Sequence, residues 1–289
     1  MIKKKLIVGT SQFDKDYAKC FRKKKSEKSN FINIRQMLNY AYKNEVFYLD
    51  SAMSYKNSDN YISKINKKFK ILTKLPRVPL NKKNYNIYFE KIVKKKLKKM
   101  DLKKFWAILF HDSGFLKSNK KEIIISAIQN LKSKKFCNKI GVSVYEKKDI
   151  DMHLKNWTPD IIELPYSVFD IRLNDNFLKK LKKKNIFLIA RSIFLQGLIL
   201  NSKFPNYFNK WKKKFYLWKK WCDKQKISRL EAAVSFILQK TCIDKFIVGL
   251  EDKDQLKEIL NIKLKKKVYR YPNLNIKDKK ILNPYYWIT

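Results

Sequence analysis

The chain has 289 residues, 45% of them hydrophobic, and a formal net charge of +43. That apolar content is enough for a substantial core in one large domain or two small ones, and it excludes a disordered or fibrous protein. Taken alone, the charge points to nucleic acid or an anionic membrane, yet only seven of the 68 basic residues are arginine, at positions 22, 35, 77, 172, 191, 229 and 270. Lysine spread evenly among Asn and Ile fits solvated faces better than a nucleic-acid reader, which uses arginine for bidentate contacts.

The first five residues, Met1-Ile2-Lys3-Lys4-Lys5, are basic like a signal peptide, but the apolar run behind them is only Leu6-Ile7-Val8. No run reaches the ~18 apolar residues of a membrane span, so a cytoplasmic protein is expected. Cys20, Cys137, Cys222 and Cys242 lie far apart without C-x-x-C or Cys/His spacing, which leaves reduced thiols and no metal site or disulfide framework.

Short apolar runs predict strands at Leu6–Thr10, Val46–Asp50, Lys70–Lys74, Phe105–Phe110, Lys139–Val144, Ile161–Leu164, Ile186–Ala190 and Lys245–Val248. Between them, apolar residues at three- and four-residue spacing predict helices over Ile32–Lys43, Tyr85–Leu97, Lys121–Leu131, Asn174–Lys183 and Leu230–Gln239. No linker or repeat interrupts the alternation. It predicts an α/β fold of the (β/α)8 TIM-barrel type, one domain over residues 1–289, with its site at the C-terminal strand ends. Of the glycines, Gly9, Gly114, Gly197 and Gly249 fall at or just past such ends, and Gly141 does not. No two are spaced as G-x-G-x-x-G or a P-loop, so a nucleotide must be held another way.

Three consecutive strands end on chemistry. Val46-Phe47-Tyr48-Leu49 delivers Asp50, with Tyr55 five residues on; Phe69–Thr73 delivers Lys74; Phe105–Phe110 delivers His111, followed by Asp112. A phenol ionises near pH ~10. An adjacent ammonium lowers that value, and a carboxylate paired with the ammonium fixes it in place. Converging strand ends would therefore let Lys74 tune Tyr55, Asp50 hold Lys74, and His111 orient a carbonyl oxygen for protonation while its carbon receives hydride from a nicotinamide. Each residue alone is more often a cap or a surface group; the joint arrangement carries the reading. His153, among helix-like residues without partners, reads as a surface or packing histidine.

Leu49-Asp50-Ser51-Ala52-Met53-Ser54-Tyr55 resembles the aldo-keto reductase signature, and Leu72-Thr73-Lys74 and Phe110-His111-Asp112 match its other two catalytic positions. Gly9-Thr10-Ser11-Gln12-Phe13, Ile140-Gly141-Val142-Ser143, Arg191–Gly197, Ile247-Val248-Gly249 and the ending Asn283-Pro284-Tyr285-Tyr286-Trp287 extend the resemblance over nearly the whole chain. Ser143-Val144-Tyr145, Phe169-Asp170-Ile171-Arg172 and Ala190-Arg191-Ser192 are most similar to members associated with bacterial surface-polysaccharide and nucleotide-sugar gene groups. The resemblance implies an NADPH- or NADH-dependent reductase of a small carbonyl or sugar-derived substrate, working as a monomer or weak homo-oligomer. Its cofactor would lie across the barrel mouth. Ser143 and Glu163 would meet the carboxamide, Arg191 the ring, Phe194, Gln196 and Gly197 the pyrophosphate, and Gly249, Leu250, Lys253 and Gln255 the adenosine end, with Ser192 also among the cofactor-binding residues.

Departures from the family pattern fall at the same places. Val144 stands where Asn is usual, Glu163 where Gln is usual, and Arg191 in place of the aromatic residue that stacks on the nicotinamide; its guanidinium could stack instead or meet a phosphate. Glu251-Asp252 replace a basic site for the adenosine 2′-phosphate and favour NADH, with Lys253 pulling toward NADPH. Lys56 stands where glycine is usual, and Tyr17–Phe21 replaces a glycine-containing turn, so longer side chains narrow the entrance. Two other readings compete: a nicotinamide-binding barrel that regulates without turnover, and a polyanion binder using Tyr207–Trp221, where aromatic residues interleave with lysines. The three- and four-residue spacing of Phe208, Trp211, Phe215, Trp218 and Trp221 favours packing there over binding.

Overall fold

The computed structural model describes residues 1–13, 27–55, 57–65, 68–264 and 268–287. In chain order the elements are α1 (Ile2–Lys5), β1 (Leu6–Gly9), α2 (Glu27–Lys43), β2 (Tyr48–Asp50), α3 (Ser58–Ser63), β3 (Lys70–Leu75), α4 (Tyr85–Met100), β4 (Phe105–Phe110), α5 (Lys121–Ser133), β5 (Cys137–Ser143), α6 (Lys147–Asn156) and β6 (Ile161–Pro165). They continue as α7 (Asp175–Lys183), β7 (Phe187–Arg191), α8 (Lys212–Gln225), α9 (Arg229–Leu238), β8 (Lys245–Gly249), α10 (Lys253–Leu260) and α11 (Lys279–Leu282). The strands pair in sequence order, all parallel, and β8 returns to β1 to close the barrel.

All eight predicted strands form, with shifted ends. β2 starts at Tyr48, because Val46 N–H still bonds Ala41 O at 2.9 Å as part of the exit from α2. β5 starts at Cys137, which pairs with Phe105. Helix starts follow their caps. Asn174 accepts from Phe177 N–H, and Ser228 accepts from Glu231 N–H at 3.0 Å, starting α9 one residue before Leu230.

Side chains alternate along each strand. One set faces the helices and forms the large core; the other points into the barrel, where Ile7, Leu72, Ala107, Leu109, Ile161, Ile189 and Ile247 cluster. Gly141 belongs to the inner set. A Cβ there would lie 2.2 Å from Ile161 O and 2.8 Å from Leu109 Cδ2, so its role is close packing and not a turn. Below this layer, Tyr48, Trp106 and Phe187 fill the N-terminal end, with the Lys245 ammonium 3.8 Å from the centre of the Tyr48 ring.

The 207–221 stretch packs. Phe208, Trp211, Phe215 and Trp218 are buried, Trp221 is half-buried against the same core, Trp218 donates its indole N–H to Ile199 O at 3.1 Å, and the lysines between them are exposed or half-buried. Cys137 and Cys222 are buried thiols and Cys242 is partly so, while Cys20, Lys56 and the Tyr17–Phe21 segment lie outside the described residues. Among the described residues no helix is long and apolar enough to cross a membrane.

His153 is a packing residue, fully buried in α6. The Trp157 indole N–H donates to Nδ1 at 3.1 Å, so the ring proton sits on Nε2, facing Ser113 Oγ at 2.9 Å. This ties α6 to the loop just after His111. Burial pushes the His153 pKa down to about 4. The unfolded imidazole binds its proton near pH ~6.5, so stability is complete above that value and is lost as the pH falls toward 4. His111, also lowered to about 4, adds a loss of the same sign. We expect His153→Ala to cost about 2 kcal/mol at neutral pH, from the orphaned indole N–H and the cavity. Urea titrations at neutral and mildly acidic pH should show a smaller acid-induced loss in that variant than in the native chain.

Candidate active site

The inward-facing register that stacks the apolar layer also builds the site. Two residues beyond Ile7, Leu72, Leu109, Gly141, Ile161, Ile189 and Ile247 come Gly9, Lys74, His111, Ser143, Glu163, Arg191 and Gly249; on β2, Asp50 follows Tyr48 in the same way. These residues form the top interior layer, at the C-terminal mouth where barrels place their chemistry. Tyr55 enters from the β2–α3 loop.

Lys74 lies at the centre of the charge. Its ammonium is buried, hydrogen-bonds the Asp50 carboxylate, and stands 3.1 Å from Glu163 Oε2. Burial opposes the cation, but the two carboxylates outweigh it and hold the Lys74 pKa above its usual range. Asp50 is raised to about 7 chiefly by burial and further by Glu163, against the pull of Lys74. His111 is lowered to about 4 by burial, helped by Lys74 and Arg191, and is neutral at physiological pH. The mouth therefore offers a fixed ammonium, a neutral imidazole and a half-buried phenol, all lining one cavity of about 1070 Å³.

Glu163 and Arg191, separate departures in the sequence, are neighbours in the structure. Glu163 is paired with Ser143 in the β5–β6 register and accepts from Ser143 Oγ at 3.1 Å, while Arg191 Nε stands 3.5 Å from Glu163 Oε1. Arg191 also donates to Val144 O at 3.0 Å and to Ser192 Oγ at 3.3 Å, and its guanidinium carbon is 4.2 Å from the centre of the Tyr145 ring. With one face on Tyr145 and its edge engaged by protein groups, the guanidinium is placed for stacking and poorly placed to grip a phosphate. Val144 turns its side chain into the core and contributes main-chain groups, its carbonyl to Arg191 and its N–H to Glu163 O at 2.9 Å.

Most of the sequence-derived candidates meet in this cleft. Asp50, Tyr55, Lys74, His111, Ser143, Glu163, Arg191, Ser192, Phe194, Gln196, Gly197, Gly249, Leu250 and Gln255 all line it. Lys253 does not: it is exposed in the first turn of α10, and Asp252 beside it caps that helix by accepting from Gln255 N–H at 3.0 Å. The loop after β7 turns sharply, with positive φ at Ser192, Leu195, Gln196 and Gly197. Sequence reasoning missed Gln12, Tyr145, Arg229 and Trp287 as cleft residues. Gln12 was within reach, since it lies three residues past the β1 glycine; Trp287 arrives from the C-terminal segment, far from any strand end.

The cleft fits a dinucleotide. It runs from Tyr55 and His111 past the β7 loop to Gly249, Gln255 and Ile259, and it holds a buried acceptor without a hydrogen-bond partner among the described residues, Gln12 Oε1. Glu163 Oε2 is ion-paired with Lys74 yet still open to a carboxamide N–H. A closed parallel barrel with an ammonium, a phenol and an imidazole at its C-terminal mouth belongs to the class of TIM-barrel enzymes. A sequence model of the aldo/keto reductase family matches residues 5–272, and the chain belongs to that family. It is therefore an NAD(P)H-dependent oxidoreductase acting on carbonyl compounds.

Solved structures agree in fold. Aldo-keto reductase AKR11C1 from Bacillus halodurans, in its holo form, is similar with a TM-score of 0.71 at 16% identity, over 89% of this chain and 86% of that one. Glycerol dehydrogenase AKR11B4 from Gluconobacter oxydans is similar with a TM-score of 0.67 at 16% identity, over 90% and 87%. No curated protein sequence matches the chain.

Because the Glu163 charge raises Asp50, Glu163→Gln should lower the Asp50 pKa below about 7. Following the Asp50 carboxyl carbon by NMR across the pH range checks the direction. An unmoved midpoint would show that Glu163 does not act on Asp50.

Proposed function

We propose that the chain reduces a small aldehyde or ketone, with Tyr55 giving its hydroxyl proton to the carbonyl oxygen. The reading rests on one observation: Asp50, Tyr55, Lys74 and His111 line the same cavity at the barrel mouth. A bound nicotinamide supplies the hydride. Lys74, held cationic by Asp50 and Glu163, makes the Tyr55 phenol a better acid and stabilises the phenolate it leaves. Neutral His111 donates a hydrogen bond that orients the carbonyl oxygen toward the phenol. Ser143 and Glu163 hold the carboxamide, and the Arg191 face stacks where family members use an aromatic ring.

A polar substrate, sugar-derived or otherwise hydroxylated, fits the hydroxyls and rings of Ser54, Tyr145 and Trp287 around the mouth, and the enzyme acts on it in the cytoplasm. The glycerol dehydrogenase among its structural neighbours carries a polyol in its name. Glyceraldehyde should be reduced with a kcat/KM at least ~10-fold above that for an unbranched alkyl aldehyde of similar size, a difference of about 1.4 kcal/mol from the hydroxyl contacts.

Tyr55→Phe should lower kcat by at least ~100-fold, the scale of a lost general acid, while leaving the cofactor dissociation constant unchanged. A Tyr55→Phe enzyme with native turnover would falsify the assigned role.

At the adenosine end the cleft is lined by Glu251 and Glu258, and Arg229 is engaged with Leu200 O and Ser202 Oγ, both at 3.1 Å. Lys253 stays outside. Carboxylates repel a phosphate dianion and accept from a ribose diol, so NADH should bind at least ~10-fold more tightly than NADPH, a gap of about 1.4 kcal/mol. Quenching of tryptophan fluorescence, with Trp287 in the cleft wall, reports both constants; equal affinities would defeat the electrostatic argument.

A further inference from the structure

Another buried ammonium, apart from Lys74 and Lys245, lies outside the cleft, beneath the loop that carries Tyr55. Lys96, on α4, is 7% exposed. Its Nζ is 2.7 Å from Asp59 Oδ1 and donates to Ala52 O and Met53 O, each at 3.3 Å. Burying an ammonium is costly even when it is paired, and an apolar side chain of similar length fills such a place without that penalty. Neutralising Asp59 does not by itself require Lys96, since Lys99 reaches Asp59 Oδ2 at 3.4 Å from the solvent side. What Lys96 alone supplies is a pair of donors to two consecutive loop carbonyls.

Those carbonyls stand three and two residues before Tyr55 in the chain. Tyr55 N–H bonds Ala52 O at 3.1 Å, and Met53 N–H bonds Lys74 O at 2.9 Å, which ties the loop to β3 and to the residue bearing the central ammonium. Farther along, Ser51 Oγ and Ser58 Oγ meet at 3.1 Å across the base of the loop. The segment from Ala52 to Tyr55 is thus fixed on one side by the β3 main chain and on the other by Lys96. Proton transfer tolerates little error in position: a displacement of about 1 Å lowers rates by ~100-fold.

We propose that Lys96, with Asp59 as its counterion, is a positioning residue that sets the place of the Tyr55 hydroxyl. This rests on Tyr55 being the proton donor. Lys96 touches neither substrate nor cofactor, so its effect is on turnover and not on cofactor affinity.

The test compares Lys96→Met, Lys96→Arg and Tyr55→Phe in the full chain, with glyceraldehyde and NADH as the assay pair. Lys96→Met is expected to lower kcat by ~10- to 100-fold with the NADH dissociation constant unchanged. Lys96→Arg, which keeps the cation and its donors, is expected to recover most of kcat. Should Lys96→Met not accumulate as folded protein, Lys96→Gln takes its place, with a kcat at least ~5-fold down, since its shorter amide cannot span both carbonyls and Asp59. Turnover within twofold of native in either neutral variant overturns the proposal. So does a fall in NADH affinity in step with kcat, or a failure of the Arg variant to recover. Loss of activity in Tyr55→Phe with native turnover in Lys96→Met removes the anchor alone, whereas native turnover in Tyr55→Phe removes the reading beneath it.

Discussion

The ammonium of Lys74, enclosed between the Asp50 and Glu163 carboxylates, is the interaction on which the site depends. A lone cation at that depth would be expelled or neutralised, and two lone carboxylates would repel each other. Together the two carboxylates hold Lys74 cationic in a nearly buried place, and a fixed charge in a low-dielectric wall acts strongly on its neighbours. Burial is the main cause of the depressed His111 pKa and the raised Asp50 pKa; within the cluster Lys74 lowers His111 further and Glu163 raises Asp50 further.

Adding Glu163 to an Asp–Lys pair leaves an excess negative charge, and Arg191 balances it from the adjoining strand. The charges of Glu163 and Arg191 therefore offset each other within the wall of the cleft. Either alone would leave a buried charge unmatched. The pair also alters what the mouth presents: a carboxylate acceptor where an amide is usual, and a guanidinium face, backed by Tyr145, where an aromatic ring is usual. Arg172 extends the arrangement outward, bound to Asp170 through Nε at 2.8 Å and donating to Tyr145 O at 3.4 Å, so the residue behind the guanidinium is itself held.

Much of this was legible in the chain. Eight apolar runs between amphipathic segments can bury both faces of a parallel sheet in few other ways, which is why the barrel could be expected. Asp50, Lys74 and His111 could be identified because an apolar strand ending on a polar residue places it at the mouth. The aromatic spacing of 208–218 marked a packed helix face, and that segment is packed. Lys253, which the resemblance implied for the adenosine end, is exposed in the first turn of α10 and does not line the cleft; Asp252 beside it caps that helix.

The amino-acid pattern by itself determined the element order, the closed parallel sheet and the strand-end residues that face its interior, since a strand's alternation is a local property. Only the tertiary structure decided that Glu163 shares Lys74 with Asp50, that Arg191 lies on Tyr145, that Lys96 reaches the Tyr55 loop and that Trp287 joins the cleft wall. Those contacts join residues distant in sequence, and side-chain reach and register across a closed barrel, which no local spacing encodes, bring them together.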